Sequence, residues 1–415
     1  MAVKLGNGNW AVKENKLLAY NDNSGKFFNK EFDFDRGSSA TYVAKEGLIK
    51  SAASDVPRID FSDSTSGALL LEPQRSNLIT YSEAFDNGYW IKNGLLTPTS
   101  GFLSPNGDLS AFKIVEDTSN AVHRIRISSL ASGAAASKEF TYSFFVKKSE
   151  VKWFLLKGVV NTQSLTVNVW FDLENGVIGT ESNGSGKIEN YGNDWYRCSI
   201  NIATNSSATS INVYGYLADD DNSESYQGDG TSGLYIYGAQ LEQSFATSYI
   251  PSLSGSTTTR LADVCNNSGS AQDFNSEEGV LYFEGSALAD SGVTRSMSIF
   301  QNGGNFIKFQ YYSISNRVDF VAFSSGALSC NITKVITNTT DNNKFALKWK
   351  LNDFALWVNG VEVGTDTSGN TPIGMDKISF TNEGGSSGNF FGKIKDLQVF
   401  TEAKSDEFLA ALTTI

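Results

Sequence analysis

The chain has 415 residues, of which 40% are hydrophobic and 19% are charged, so it can bury a sizeable core and is not predicted to be disordered. Its formal net charge of −12 argues against binding to nucleic acid or to an anionic membrane by electrostatic attraction. A single histidine, His123, and three isolated cysteines exclude most zinc sites, most histidine-based catalysis and a disulfide framework.

The balance of residue types favours an all-β protein. The chain contains 38 glycines but only 6 prolines, and 12% of its residues are aromatic. Short strands that are joined by polar turns have this composition. We therefore predict two consecutive antiparallel β-sandwich (jelly-roll) domains after an extended N-terminal segment. The sequence predicts neither a secretory signal peptide nor a membrane insertion segment.

The pattern of residues along the chain predicts four regions. Residues 1–75 contain short extended pieces and are expected to form an attachment segment. Residues 76–255 carry the strongest strand signals and are expected to form a jelly roll. Residues 256–275 are rich in Ser, Thr, Asn and Gly, which is typical of a linker. Residues 276–415 are expected to form a second sandwich that ends in a short helix.

Individual elements support this division. Leu165–Leu173 alternates apolar and polar residues, which indicates a half-buried antiparallel strand. Asn359-Gly360 separates the apolar runs Phe354–Val358 and Val361–Val363, and this arrangement predicts a β-hairpin. Ser405 is a suitable N-cap for a C-terminal helix, because its side chain can accept from a free backbone N–H.

Three groups of residues carry a resemblance to known families. The first resembles the opening of bacteriophage virion proteins of the head-fibre or tail-fibre type and comprises Arg36–Val43, Gly47–Ile49, Val56–Arg58, Leu69–Leu78, Tyr81–Phe85 and Tyr89-Trp90. The second is similar to a carbohydrate-binding-module-like jelly roll and comprises Ser104–Asp108, Trp195–Arg197, Gly228–Gly230, Gly238–Glu242 and Thr247–Pro251. The third resembles a concanavalin-like, or laminin-G-like, lectin sandwich and comprises Trp357–Val361, Phe391–Lys395 and Ser405–Glu407.

The resemblance implies a structural protein of a phage particle that is synthesised in the host cytoplasm and located on the virion surface. It would form a homotrimeric fibre or spike on the capsid or tail and mediate adhesion to host or environmental glycans. Its N-terminal segment would attach to a capsid or tail protein, and we expect Trp10, Phe27 and Phe28 to be the apolar anchors of that segment.

The predicted jelly roll contains candidate glycan-contact residues. Trp170, Tyr214 and Tyr216 fall on the polar phase of their strands, and Asn168 and Asn212 share those phases. An exposed aromatic ring can stack on a sugar ring while nearby amides bind its hydroxyl groups. The alternative is that a second sheet, a loop or a neighbouring subunit covers this face.

The run Asp219–Glu224 concentrates oxygen ligands. Calcium favours such carboxylates, so Asp219 and Asp221 are calcium candidates. The spacing does not match an EF-hand loop, and a solvated acidic turn is the alternative. We predict no other cofactor.

We predict no enzymatic activity. The sequence shows no Gly-x-Ser-x-Gly nucleophile motif and no Glu-x-Asp-x-x-Glu cluster of the kind that concanavalin-like glucanases carry. Two alternatives to the adhesive protein remain open. One is a purely structural capsid decoration without a ligand. The other is a polysaccharide depolymerase, which would need two carboxylates about 5–10 Å apart in a groove.

Overall fold

The computed structural model describes residues 2–4, 10–21, 26–290, 292–385 and 387–415. The chain forms two compact units. The first unit comprises residues 1–45, 52–74 and 261–415, and the second comprises residues 46–51 and 75–260. The regular secondary structure of the described residues is almost entirely β-strand, so the predicted all-β class is confirmed. The described part of the chain contains no helix with the length and hydropathy that a membrane span requires.

The described residues as far as residue 74 contain short strands. They are β1 (Ala2–Lys4), β2 (Ala11–Lys13), β3 (Lys16–Asn21), β4 (Lys26–Glu31), β5 (Asp33–Asp35), β6 (Ala40–Val43), β7 (Ile49–Ala52), β8 (Ile59–Asp60) and β9 (Ala68–Leu71). From β5 to β9, turns and bends that contain Gly, Ser and Asp separate the strands.

Longer strands follow between residues 75 and 260. They are β10 (Arg75–Asn77), β11 (Ile91–Asn93), β12 (Thr99–Phe102), β13 (Ala111–Val115), β14 (Asn120–Ala121), β15 (His123–Leu130), β16 (Glu139–Lys148), β17 (Trp153–Val160), β18 (Leu165–Asp172), β19 (Val177–Ser182), β20 (Gly186–Asn190), β21 (Trp195–Ala203), β22 (Ile211–Ala218), β23 (Tyr226–Gln227), β24 (Gly233–Gln243) and β25 (Thr258–Arg260). These strands form the second unit.

The remaining strands and the helix lie in the first unit. They are β26 (Val264–Asn266), β27 (Glu278–Ala287), β28 (Arg295–Asn302), β29 (Asn305–Tyr311), β30 (Arg317–Ser324), β31 (Ala327–Val335), β32 (Asn343–Lys350), β33 (Phe354–Val358), β34 (Val361–Asp366), β35 (Lys377–Ser379), β36 (Gly392–Phe400) and α1 (Asp406–Thr413). The predicted hairpin at Asn359-Gly360 joins β33 to β34. Ser405 caps α1 by accepting from the backbone N–H of Phe408, as predicted.

The second unit is a sandwich of two six-stranded antiparallel sheets. Their strand orders are β11-β15-β22-β17-β18-β19 and β12-β13-β24-β16-β21-β20. Residues of one phase fill the core between the sheets, as Val167, Val169 and Phe171 of β18 do. The intervening residues of β18 therefore point away from the core, because successive side chains of a strand alternate between the two faces of its sheet.

The first unit is a sandwich of an eight-stranded and a five-stranded sheet. The larger sheet has the order β34-β33-β32-β27-β36-β9-β8, with β1 also paired to β36, and the smaller has the order β31-β30-β29-β28-β35. Phe283, Phe309 and Phe345 meet in the core between the sheets, with ring centroids 4.6–4.8 Å apart. Leu409 of α1 packs with Tyr282 and Trp357 on the outer face of the larger sheet.

The prediction of a separate attachment segment is wrong for the described residues. Strand β9 pairs with β36, so residues 69–71 belong to the sheet that the C-terminal strands build. Trp10 is only 6% exposed and its indole N–H donates to the carbonyl of Ile394 at 3.0 Å, so it is a core residue and not a free anchor. Phe27 and Phe28 lie in β4, but their side chains fall outside the described residues.

The predicted linker is also wrong. Within 256–275, β25 pairs with β10 and β26 pairs with β5. Cys265 of β26 is buried and joins the core of the first unit. The Ser- and Asn-rich composition is typical of a linker. The pairing of these strands could not be seen in the sequence, because their partners lie far away along the chain.

Buried ion pairs join the N-terminal segments of the first unit to the start of its C-terminal segment. Asp263 accepts from Arg36 at 3.0 Å and from Arg58 at 2.5 Å, and Glu72 accepts from Arg58 at 2.6 Å. All four side chains are 0–2% exposed. Burial lowers the pKa of the Arg58 guanidinium, but Asp263 and Glu72 raise it by more, so Arg58 is held in its charged form.

We predict that Asp263→Asn destabilises the protein by about 3–5 kcal/mol, because it removes the carboxylate that balances two buried guanidinium groups. The midpoint of denaturant-induced unfolding measures this loss. Glu278→Gln is the matched control, since Glu278 pairs with Lys350 at the surface and such pairs contribute about 0–1 kcal/mol. Equal midpoints for the two variants would contradict the prediction.

Candidate functional site

Two rows of side chains cross the outer face of the sheet that contains β15, β22, β17 and β18. From β15 to β18, the order of neighbours in the first row is Arg126, Tyr214, Lys157 and Asn168. In the second row the neighbours are Arg124, Tyr216, Leu155 and Trp170. We call the surface formed by Arg124, Arg126, Lys157, Asn168 and Tyr214 the cationic face.

The predicted glycan-contact residues differ in their exposure to solvent. Trp170 is 3% exposed and Tyr216 is 0% exposed, so the prediction that they form an open stacking surface is wrong. The covering loop that we considered as the alternative accounts for Trp170, because its indole N–H donates to the carbonyl of Ser223 at 2.9 Å. Tyr214 and Asn168 are only half-buried.

Asn212 is half-buried as well, but its side chain is engaged. Its Oδ1 accepts from the backbone N–H of Ser129 at 2.8 Å and from the amide of Asn161 at 3.3 Å. Its amide donates back to Asn161 at 3.1 Å. Asn212 therefore organises the end of its strand, and Tyr214 and Asn168 are the predicted residues that remain for a ligand.

Cations lie against the tyrosine rings of these rows. The guanidinium carbon of Arg124 is 5.0 Å from the ring centre of Tyr214 and 5.2 Å from that of Tyr216, and Arg124 also donates to the Tyr216 hydroxyl at 2.5 Å. Lys157 lies 5.6 Å from the Tyr216 ring. Burial raises the pKa of Tyr216 and outweighs the opposing effect of Arg124, so its hydroxyl stays protonated.

The charges of the cationic face are incompletely balanced. Lys157 donates to both carboxylate oxygens of Glu224 at 2.7 and 2.9 Å. Neither Arg124 nor Arg126 has a carboxylate within 4 Å among the described residues. In the same part of the structure, Arg126 Nε and Asn168 Oδ1 are shielded from water and have no hydrogen-bond partner.

The acidic run Asp219–Glu224 is the loop that covers the second row. Both carboxylate oxygens of Asp221 accept from Thr180, one from its backbone N–H at 2.8 Å and one from its hydroxyl at 3.0 Å. Asp219 accepts from the Ser223 hydroxyl at 2.5 Å. Among the described residues no three His, Cys, Asp or Glu side chains are grouped to hold a metal, so Asp219 and Asp221 are not brought together as a calcium site.

The residues that carry the jelly-roll resemblance have a structural role here. Gln240 Oε1 accepts from the backbone N–H of Ile250, and the carboxylate of Glu242 accepts from the N–H and the hydroxyl of Thr247. Arg197 donates to the Thr247 carbonyl at 2.6 Å. All five residues are at most 5% exposed, which places them in the interior of the second unit.

The cations of the face were not among the predicted site residues. Arg124 and Arg126 alternate with His123, Ile125 and Ile127, and this alternation is the signal that could have placed both arginines on one outer face. His123 lies on the inner side, where its ring nitrogens contact the carbonyls of Gly94 and Tyr226. The sequence does not show that these arginines lie next to Tyr214, because Tyr214 belongs to another strand.

The other sheet of the second unit has a covered aromatic cluster on its outer side. Phe145, Tyr237 and Tyr249 are buried there, and one oxygen of Glu83 accepts from the hydroxyls of both tyrosines at 2.9–3.0 Å. Burial raises the pKa of Glu83, and these two hydrogen bonds oppose the shift only in part. This cluster is packed and hydrogen-bonded, so the cationic face is the better candidate for binding.

We predict that Glu83→Gln stabilises the protein at pH 7 and that this gain disappears near pH 4. A raised folded-state pKa gives Glu83 a stabilising contribution at low pH that is lost as the pH rises through that pKa. Glu150→Gln is a control of opposite sign: burial raises the pKa of Glu150, but hydrogen bonds, of which that from Lys113 is the largest, lower it by more, to about 2. Thermal midpoints at the two pH values measure both effects, and an identical pH response of the two variants would contradict the assignment.

Comparison with known proteins finds no matching family model and no matching curated protein. Among solved structures, the chain is similar to a CBM40 of a Ruminococcus gnavus sialidase bound to α2,3-sialyllactose, with 17% identity over 36% of this chain and 93% of that chain and a TM-score of 0.31. It is similar to the botulinum neurotoxin type G receptor-binding domain, with 12% identity over 32% and 37% of the two chains and a TM-score of 0.28. It is also similar to domains LG4-5 of the mouse laminin α1 chain, with 10% identity over 70% and 90% and a TM-score of 0.23. Likenesses of this degree assign neither a ligand nor a partner to this chain.

Proposed function

We propose that this chain is a glycan-binding structural protein and that the cationic face of its second unit contacts the sugar. The observation that carries the proposal is that polar and charged groups of that face lack partners among the described residues. Tyr214 and Asn168 are half-buried, and Arg124 and Arg126 have no carboxylate partner among the described residues. A ligand with several hydroxyl groups would satisfy these groups together.

The chemistry of the face suits a sugar. A tyrosine ring offers an apolar surface to sugar C–H groups, while guanidinium and amide groups exchange hydrogen bonds with hydroxyls. Arg126 Nε and Asn168 Oδ1 have no partner in the described structure, and an unpaired buried polar atom costs about 1–3 kcal/mol. Ligand groups that reach these atoms as the long side chains move would recover part of that cost.

We also propose that the protein binds its ligand while it is located on the surface of a virion. The resemblance of residues 36–90 to the opening of phage head-fibre and tail-fibre proteins supports a location on the surface of a virion. Many copies on one particle would make weak individual sites sufficient, because linked sites raise the effective concentration. The protein would act by binding and not by catalysis, and attachment to a capsid or tail protein would use surfaces other than the buried Trp10.

We predict that Tyr214→Ala weakens glycan binding at least about tenfold, since it removes the ring that supports Arg124 and contacts the sugar. Tyr235→Ala is the matched control, because Tyr235 is also half-buried and also lies near a cation, Lys113, but belongs to the other sheet. Binding of the full chain at high density to an array of glycans measures the effect. The proposal fails if the unmodified protein binds no glycan or if both variants lose binding equally.

We further predict a solution mass of about three times the chain mass of 45.0 kDa, as the fibre resemblance implies. Light scattering across a concentration series measures this mass. A monomer at every concentration would contradict the trimeric fibre and favour a singly attached decoration.

A further inference from the structure

We infer that the ligand of the cationic face carries a negative charge, as a carboxylated or sulfated sugar does, and that it competes with Glu224 for Lys157. This inference rests on the proposed function and adds the chemical class of the glycan.

The cationic face has more cations than carboxylates that form ion pairs with them in the described structure. Arg124, Arg126 and Lys157 lie on the same side of one sheet, in adjacent rows of neighbouring strands. Glu224 is the carboxylate that the described structure places against them, and it contacts only Lys157. The loop Asp219–Glu224 brings further carboxylates near the face, but none of the described ones contacts Arg124 or Arg126, and these two guanidinium groups are complementary to an anionic group of a small ligand.

Arg124 is held in place before any ligand binds. Its guanidinium lies against two tyrosine rings and donates to the Tyr216 hydroxyl, so little side-chain entropy is left to lose on binding. A planar guanidinium can donate two parallel hydrogen bonds to a carboxylate or a sulfate. Arg126 Nη1 donates to Ser128 Oγ, and no described carboxylate pairs with Arg126, so its guanidinium can approach the same anion.

Glu224 occupies a position that an anionic ligand would take. Its carboxylate contacts Lys157 at 2.7–2.9 Å from a loop that also covers Trp170 through the Ser223 carbonyl. Asp221 fastens the preceding part of that loop to Thr180. An acidic ligand at Lys157 therefore displaces the Glu224 carboxylate while the Asp221 anchor holds the rest of the loop.

A short acidic glycan fits this surface better than a nucleic acid. The face offers three cations, whereas binding to a nucleic acid backbone depends on many phosphate contacts across an extended basic surface. The net charge of −12 repels a long polyanion but affects a ligand with one or two charges far less. Binding to a polynucleotide is accordingly one of the results that would overturn the inference.

The first experiment applies the full chain to an array that pairs each acidic glycan with its neutral counterpart. We expect binding to the acidic members, and a drop in affinity between 50 and 500 mM salt for the strongest of them. Glycans bound regardless of charge and without a salt effect would overturn this inference and leave the proposed function intact. If no glycan binds, both fail, and preferential binding of single-stranded DNA at low salt overturns the inference as well.

Three variants then test the residues, with the strongest acidic glycan as the probe in a calorimetric titration. Arg126→Gln should weaken binding about tenfold or more, since it removes a charge-assisted contact. Glu224→Gln should strengthen binding several-fold, because it frees Lys157, and such a gain cannot result from misfolding. Lys187→Gln removes one charge from an exposed lysine in the other sheet and should leave the affinity unchanged. Unchanged or weaker binding by Glu224→Gln, with an unaltered thermal midpoint, would overturn the competition with Lys157.

Discussion

The buried network around Asp263 is the interaction on which the architecture depends. Asp263 binds Arg36 across 227 residues and Arg58 across 205 residues, and Asp263 and Glu72 also exchange hydrogen bonds through their backbone N–H groups. Apart from the short excursion at residues 46–51, the chain leaves the first unit after residue 74 and returns to it at residue 261, next to this network. In the second unit, the pairing of β10 with β25 likewise brings its two ends together. A domain with adjacent ends can be inserted into another without opening its core.

The residues that suggested a family are largely those that stabilise the fold. Arg36, Arg58 and Glu72 belong to the first resemblance and are among the buried charges of the first unit. Gln240 and Glu242 belong to the second and satisfy backbone groups inside the second unit. Buried polar groups of this kind need particular partners, because each unsatisfied one is costly. The resemblance therefore supports the architecture more directly than it supports a ligand.

Features that depend on residues close together in the sequence were predicted correctly. The alternation in Leu165–Leu173 placed β18 and its two faces correctly, and Asn359-Gly360 marked a hairpin. The same alternation could not show that Trp170 is covered, since the covering carbonyl belongs to Ser223, 53 residues away. Nor could it show that Trp10 enters a core through a hydrogen bond to a carbonyl 384 residues further along the chain. Three of the five residues of the cationic face, Arg124, Arg126 and Lys157, were missed because they lie on strands other than that of Tyr214.

The acidic loop and the cationic face form one electrostatic system. Without a ligand, Glu224 neutralises Lys157 and the loop shields Trp170, so the face presents less charge and less apolar surface to the solvent. This arrangement disfavours weak contacts with arbitrary anions, because an incoming group must replace a carboxylate that is already in place. A ligand that also engages Arg124 and Arg126 gains contacts that Glu224 does not make. The Glu224 carboxylate therefore disfavours anions that contact Lys157 alone. Arg124 and Arg126, which have no carboxylate partner among the described residues, favour a ligand that contacts all three cations.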